Sequence, residues 1–282
     1  MLNFLESEFT PAKPEKAAFH IIPAPYEKSV SYGSGTKFGP KTIIESSQQL
    51  EKIQRGKKPG AQGIYTAHPA PTLKAIEKAV SYAIACNSLP FTIGGEHTVT
   101  LGAIRALKER LGSEFGLIQF DAHADLRYAY EGNPLSHASV MRRISELGIP
   151  IAQFGTRSYC EEEQAYRSDR KNKVTFHDAE ELFLRFKENK KTKLLPQNFP
   201  KKIYISFDID GLDSSIMPAT GTPVPGGLLW YQTLSLLTEL TKGRTIIGMD
   251  LVEYAPIKGF HAYDFTAATL AYEMMALVIR GS

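Results

Sequence analysis

Short apolar runs alternate with longer segments in which apolar residues recur every three or four positions. A short run bounded by glycine, proline or polar residues is typical of a strand buried in a parallel sheet. The longer spacing, as at Ile76, Val80 and Ile84, indicates an amphipathic helix. The pattern predicts strands at His20–Pro23, Phe91–Ile93, Phe115–Phe120, Ile151–Phe154, Val174–Phe176, Ile203–Phe207 and Thr245–Met249. It predicts helices at Thr72–Cys86, Leu101–Leu111, Val140–Leu147, Glu161–Tyr166, Glu180–Glu188, Tyr231–Thr241 and Asp264–Val278.

Strands separated by segments long enough for a helix favour βαβ units, which form a parallel sheet with helices on both faces. The chain has 282 residues and contains neither an internal repeat nor a low-complexity linker. We therefore expect one domain over residues 1–282, of the α/β class, with a mainly parallel central sheet.

Composition and charge exclude several classes of protein. With 33 basic and 30 acidic side chains, the formal charge of +3 is too small to favour a nucleic acid or a membrane as partner. Apolar residues make up 43% of the chain, which is enough for a core. Cys86 and Cys160 form no disulfide framework or zinc pattern. The sequence lacks the apolar runs of a signal peptide or a transmembrane helix, so we expect a cytoplasmic protein.

Polar side chains follow four of the predicted strands. His97 follows Phe91–Ile93 after two glycines, and Asp250 and Glu253 follow Thr245–Met249. The other two strands are followed by Asp121, His123 and Asp125, and by Asp208 and Asp210. Residues two apart in an extended segment point the same way, so each of these two sets is expected to share one face. Open parallel sheets bind ligands beyond the carboxyl ends of their strands, which predicts that the four groups meet.

Within these groups, the expected cluster contains four carboxylates and two imidazoles, which are Asp121, Asp125, Asp208, Asp210, His97 and His123. Carboxylates this close repel one another, and two divalent cations would balance their charge. Nitrogen and oxygen donors without a thiolate disfavour structural zinc and suit manganese, with cobalt, iron and magnesium as alternatives. An Asp-x-Asp pair or a single histidine is also typical of packing or helix capping. The presence of all three sets after predicted strands favours a dinuclear metal centre.

Five segments carry a resemblance to a known family: Gly94–His97, Phe120–Asp125, Ser206–Asp210, Gly221–Leu228 and Asp250–Glu253. They resemble the ureohydrolases, a family comprising arginase, agmatinase and relatives that hydrolyse guanidino compounds to urea and an amine. The resemblance extends from about residue 30 to residue 275 and is strongest to agmatinase. It implies a three-layer α/β/α sandwich, two Mn²⁺ ions per subunit, and a homo-oligomer that is a trimer or a hexamer.

The resemblance also implies a role for each site residue. The expected metal ligands are His97, Asp121, His123, Asp125, Asp208 and Asp210, with Asp121 and Asp208 bridging the two ions. The expected catalytic residues are Asp125, His137 and Glu253, of which His137 and Glu253 also bind substrate. In the implied mechanism a metal-bridging hydroxide attacks the guanidino carbon and Asp125 accepts its proton. His137 exchanges a proton between the departing amine and solvent, while Glu253 holds the guanidinium.

Three residues depart from the usual family pattern. Glu96 stands where many members have aspartate, and we expect this change to affect the support of a metal ligand. Ser214 replaces a usual proline, and Ala219 replaces a frequent glycine in the loop before Thr220. None of the three removes a predicted ligand.

The loop Leu126–His137 resembles the agmatinase version, so we expect a small cationic guanidino substrate, agmatine, which yields putrescine for polyamine biosynthesis. In this loop Glu131 is a candidate partner for the amine tail, whereas Arg127 would favour guanidinobutyrate. Aminopropylagmatine and arginine are further alternatives. Two alternative hypotheses place the chain in another class of protein, either a non-catalytic metal-binding relative or a dinuclear phosphoesterase. The acidic cluster is unfavourable for phosphate, and the presence of His137 and Glu253 argues against a non-catalytic protein.

Overall fold

A parallel sheet of eight strands forms the centre of the fold in the computed structural model, which describes residues 2–189 and 192–279. Its strand order is β2-β1-β3-β8-β7-β4-β5-β6, and every neighbouring pair is parallel. The strands are β1 Phe19–Ala24, β2 Ile64–Thr66, β3 Leu89–Gly94, β4 Gly116–Phe120, β5 Ile151–Phe154, β6 Val174–His177, β7 Lys202–Asp208 and β8 Thr245–Val252.

Helices cover both faces of this sheet. They are α1 Gly39–Ser46, α2 Leu73–Ala85, α3 Val99–Leu111, α4 Val140–Glu146, α5 Glu161–Ser168, α6 Ala179–Lys187, α7 Trp230–Thr241 and α8 His261–Val278. One core cluster joins the sheet to α1, α7 and α8, and the other joins it to α2, α3 and α4. The predicted α/β fold with three layers is therefore confirmed.

The central strands are apolar on both faces because each face contacts a layer of helices. Along β1, Phe19 and Ile21 belong to one core cluster, while Ile22 and Ala24 belong to the other. Such a strand shows a nearly continuous apolar run instead of strict alternation. This is the pattern from which the strands were predicted.

The register of the central strands brings the polar segments together. Phe120 at the end of β4 pairs with Phe154 of β5 and with Phe207 of β7. The Phe120 ring stacks on that of Phe207, with the ring centroids 5.1 Å apart. Asp121 therefore begins its loop beside Asp208, although the two residues are far apart in sequence.

The predicted strands and helices are all present, with end points that differ by a few residues. Sequence analysis missed β2 and α1, which are short elements of three and eight residues. Five of the predicted strands also end too early, among them β7, whose last residue is Asp208, and β8, which contains Asp250. Among the described residues, no helix has the length and apolar character needed to cross a lipid bilayer.

Candidate metal centre

The predicted ligands converge at the carboxyl edge of the sheet. His97 follows β3 through a turn at Gly95, where the backbone of the neighbouring Tyr26 approaches closely. A Cβ atom at Gly95 would lie 2.1 Å from the Tyr26 carbonyl oxygen, so this turn requires glycine. The other ligands follow β4 and β7, which are neighbours in the sheet.

His97 lies at the centre of one group of ligands. Its Nδ1 atom is 3.1 Å from Asp121 Oδ2 and 3.0 Å from Asp125 Oδ2. Asp208 Oδ2 lies 3.3 Å from the same nitrogen. All four side chains are buried. One nitrogen and three carboxylate oxygens thus surround a single small volume.

His123 is at the centre of the second group. Its Nδ1 atom lies 3.0 Å from Asp210 Oδ2 and 3.6 Å from Asp121 Oδ1. Ligand atoms of Asp121, His123 and Asp210 all lie within 4.8 Å of one another, as do those of His97, Asp121 and Asp125. Asp121 belongs to both groups, which is the arrangement expected of a carboxylate between two ions.

The local backbone differs from the extended segment expected after β4. Asp125 has a φ of +53°, and residues 121–125 lie outside any strand. Asp210 likewise lies in a short 3-10 turn, where its N–H donates to Asp208 Oδ1 at 2.9 Å. The expectation of shared faces on extended strands is therefore wrong for both segments. The side chains meet because the chain turns back over the sheet edge.

Burial without a compensating cation perturbs the carboxylates. Burial, together with the neighbouring charge of Asp121, raises the pKa of Asp125 to about 7. Burial also raises the pKa of Asp208 well above its usual range, and Asp210 and Asp121 act in the same direction. Burial therefore favours the neutral acid at Asp125 and Asp208 when no cation is bound.

The pKa values of the two histidines are also raised, but by the neighbouring carboxylates and not by burial. Burial disfavours their charged forms, but the carboxylates around them outweigh it. They raise the pKa of His123 to about 12, mainly through Asp210, and that of His97 well above its usual range. In the absence of metal, the surrounding carboxylates therefore favour the protonated form of both histidines.

The geometry at His97 fits a divalent cation. Its Nδ1 atom is buried and lies close to three carboxylate oxygens, yet it makes no contact with the angle of a hydrogen bond. A nitrogen lone pair and carboxylate oxygens that converge on one point are typical of metal ligands. The donor set without a thiolate suits a hard cation such as Mn²⁺.

A buried hydrogen-bond network orients His97. Its Nε2 atom lies 2.8 Å from Ser206 Oγ, which donates to Asp250 Oδ1 at 2.8 Å. Asp250 Oδ2 also accepts from Thr100 Oγ1 and from the hydroxyl of Tyr204. Because Ser206 donates to Asp250, it accepts from His97 Nε2–H, and Nδ1 is left facing the carboxylates.

Asp121 is held in a similar way by buried amides. Gln119 Nε2 donates to Asp121 Oδ2 at 2.6 Å, and Gln153 Nε2 donates to Gln119 Oε1 at 2.6 Å. Sequence analysis gave no role to Gln119, Ser206 or Asp250. A signal was present, since a polar side chain inside a buried apolar strand requires a partner in the interior.

His137 and Glu253 lie beside the cluster. Both line a small cavity with Asp208 and Asp210, and His137 also lines a cavity of about 210 Å³ that reaches His123 and Asp125. Glu253 Oε1 accepts from the backbone N–H of His97 at 2.7 Å. Burial raises the pKa of Glu253 well above its usual range and lowers that of His137.

The two residues considered for substrate selection have different surroundings. Arg127 lines the larger cavity, where its Nε atom is 3.8 Å from a carboxylate oxygen of the buried Glu163. Its guanidinium also lies over the Tyr130 ring. Glu131, by contrast, is exposed in a turn and does not line this cavity.

The three departures from the family pattern leave the cluster intact. Ala219 is buried and has no positive φ, so the loop does not require glycine there. Ser214 lies in a turn where Asp213 accepts several hydrogen bonds. Glu96 contacts none of the six predicted ligands through its carboxylate, which instead accepts from residues 28, 29 and 98.

Comparison with known proteins agrees with this geometry. The model of the arginase family matches residues 17–277. The chain is 36% identical to an N(1)-aminopropylagmatine ureohydrolase of Synechocystis sp., over 97% of this chain and 92% of that protein. It is 31% identical to an agmatinase of Pyrococcus horikoshii, over 94% of this chain and 93% of that protein.

A solved structure gives the same result. The agmatine ureohydrolase of Thermoplasma volcanium superposes with a TM-score of 0.81 at 26% identity, covering 99% of this chain and 94% of that one. The fold and the acidic cluster define a ureohydrolase-type hydrolase, as predicted. The chain belongs to the arginase family.

The raised pKa values of Asp125 and His123 predict how the stability of the metal-free protein depends on pH. Asp125 keeps its proton to about pH 7 and His123 to about pH 12, whereas in the unfolded chain these residue types titrate near ~4 and ~6.5. The folded metal-free protein thus binds more protons than the unfolded chain, and its stability falls as pH rises. We expect its Tm to be several degrees lower at pH 8 than at pH 6, at ~2–4 °C per kcal/mol.

Differential scanning calorimetry with a chelator, repeated with added Mn²⁺, measures this effect. Added ions should raise Tm more at pH 8 than at pH 6, because they replace protons in the cluster. A His177→Gln variant, which alters a histidine outside the cluster, should keep the same pH slope. A metal-free Tm that stays constant or rises over this range would contradict the assignment.

Proposed function

We propose that this chain hydrolyses the guanidino group of agmatine to putrescine and urea, using two Mn²⁺ ions. The observation that carries the proposal is the convergence of two ligand groups that share Asp121, with His137 and Glu253 beside them. The ligands proposed for the ions are His97, Asp121, His123, Asp125, Asp208 and Asp210. When bound, such ions lower the pKa of water to about 7 and supply a nucleophile at neutral pH.

Glu253 is proposed to bind the guanidinium. Its carboxylate is buried, and one of its oxygens is fixed by the backbone N–H of His97. Burial disfavours the charged carboxylate, so a cation that enters the cavity restores it through charge-assisted hydrogen bonds. This fixes the guanidino carbon next to the ligand groups.

Asp125 and His137 are proposed to move protons. Asp125 lines the same cavity as His137, so it is placed to take a proton from the attacking water and pass it to the leaving nitrogen. The His137 ring is partly exposed and contacts the edge of Tyr130. It is therefore proposed to exchange a proton between the departing amine and solvent.

The cavity favours a substrate without a carboxylate. Arg127, the residue considered for binding guanidinobutyrate, is beside Glu163 and stacks on Tyr130. The Glu163 carboxylate lines the same cavity and offsets the charge of Arg127. A second candidate substrate is aminopropylagmatine, which the 36% identity to an aminopropylagmatine ureohydrolase favours. The cytoplasmic location and the trimeric or hexameric state stay predictions.

Urea release from a panel of substrates tests the proposal. The Mn²⁺-loaded protein should release urea from agmatine or aminopropylagmatine with a kcat/KM at least ten-fold higher than from guanidinobutyrate or arginine. The ratio between the first two substrates decides between the two candidates. An absence of urea from all four, in protein that contains two ions per chain, would support a non-catalytic relative instead.

Two substitutions separate metal binding from proton transfer. Asp208→Asn removes a proposed ligand and should lower both the bound metal and the turnover. His137→Asn should retain two ions per chain while kcat falls ~10²–10⁴-fold, the usual contribution of general acid–base catalysis. Metal analysis by mass spectrometry and steady-state urea assays provide the two readouts. Wild-type kcat in His137→Asn would remove the proposed proton-transfer role.

A further inference from the structure

The carboxylate of Glu96 is fully buried, and its hydrogen bonds go to residues outside the predicted metal cluster. It accepts from the N–H of Lys28, from the N–H and Oγ of Ser29, both at 2.6 Å, and from Thr98 Oγ1 at 2.7 Å. Three of these four donors belong to the loop that follows β1. Glu96 thereby fixes the backbone of this loop to the end of β3.

Ser29 connects this carboxylate to His137. While the Ser29 hydroxyl donates to Glu96 Oε1, its oxygen accepts the backbone N–H of His137 at 3.0 Å. The His137 ring lies against the same loop, with Nδ1 3.5 Å from Ser29 Oγ and Nε2 3.5 Å from Ser31 Oγ. These contacts join residues more than a hundred positions apart in sequence.

We propose that Glu96 is a positioning residue that acts on His137 through Ser29. The inference rests on the proposed function, because it concerns the histidine assigned there to proton transfer. It differs from the expectation raised by the sequence, which placed the effect of glutamate at this position on a metal ligand. The side chain is one methylene longer than aspartate, about 1.5 Å, and it reaches the loop beside His137.

The expected effect follows from the geometry. Removal of the Ser29 hydroxyl leaves the His137 N–H and the Glu96 carboxylate each without one partner. A displacement of about 1 Å in a catalytic group is enough to cost up to ~10²-fold in rate. The metal ligands keep their own contacts, so metal binding should be unaffected.

A double-mutant cycle on the Mn²⁺-loaded protein tests the proposal. Ser29→Ala should lower kcat at least ten-fold with little change in KM, whereas Ser29→Thr, which keeps the hydroxyl, should recover most of the rate. In the His137→Asn background, Ser29→Ala should change kcat less than two-fold, since residues that act as a unit are not additive. Glu96→Gln should behave like Ser29→Ala in both backgrounds.

Thr98→Val is the matched control. It removes a hydrogen bond to the same Glu96 carboxylate without interrupting the contact between Ser29 and His137, so kcat should stay within two-fold of wild type. Equal losses from Ser29→Ala with and without His137 would overturn the proposal. A loss of bound metal in Ser29→Ala or Glu96→Gln would also overturn it.

A second readout does not depend on activity. In metal-free protein, Ser29→Ala and Glu96→Gln should speed hydrogen–deuterium exchange in the peptide that contains His137, whereas Thr98→Val should not. If exchange in this peptide is unchanged in both variants, Glu96 and Ser29 do not position His137, even if the wild-type protein is active. If the wild-type protein releases no urea while exchange changes as expected, the proposed function is wrong, but the positioning of His137 by Glu96 and Ser29 is supported.

Discussion

Four buried carboxylates meeting at one edge of a sheet are the constraint on which the rest of this structure depends. Asp121, Asp125, Asp208 and Asp210 lie around two histidines. Burial and the neighbouring carboxylates raise the pKa values of Asp125 and Asp208, so the charged forms of both are disfavoured. Leaving such charges unpaired is costly, and divalent cations relieve both the repulsion and the desolvation. The geometry of the cluster is therefore suited to holding metal ions.

Buried polar side chains from the neighbouring strands orient the side chains of the cluster through hydrogen bonds. Asp250 and Ser206 orient His97, and Gln119 orients Asp121, all within buried strands. Such outer contacts fix the nitrogen or oxygen that a ligand presents and typically affect metal affinity 10–100-fold. Glu96 instead accepts hydrogen bonds from the loop after β1, through which it is proposed to position His137.

The convergence of these side chains was predictable because they lie at or shortly after the ends of buried strands, and strand register determines which strand ends are neighbours. Phe120 of β4 pairs with Phe207 of β7, and the residues that follow them, Asp121 and Asp208, are therefore neighbours. The link from Ser29 to His137 was not predictable, since it joins distant loops and depends on how each turns over the sheet. Likewise, the left-handed conformation of Asp125 departs from the extended backbone that its place after β4 predicts.

Anomalous diffraction at the manganese absorption edge, from crystals grown with Mn²⁺, tests the central claim most directly. We predict two peaks per chain, one contacted by His97, Asp121 and Asp125 and the other by Asp121, His123 and Asp210, with Asp208 contacting at least one of them. Peaks elsewhere on the chain, or no peak between these side chains, would contradict the account.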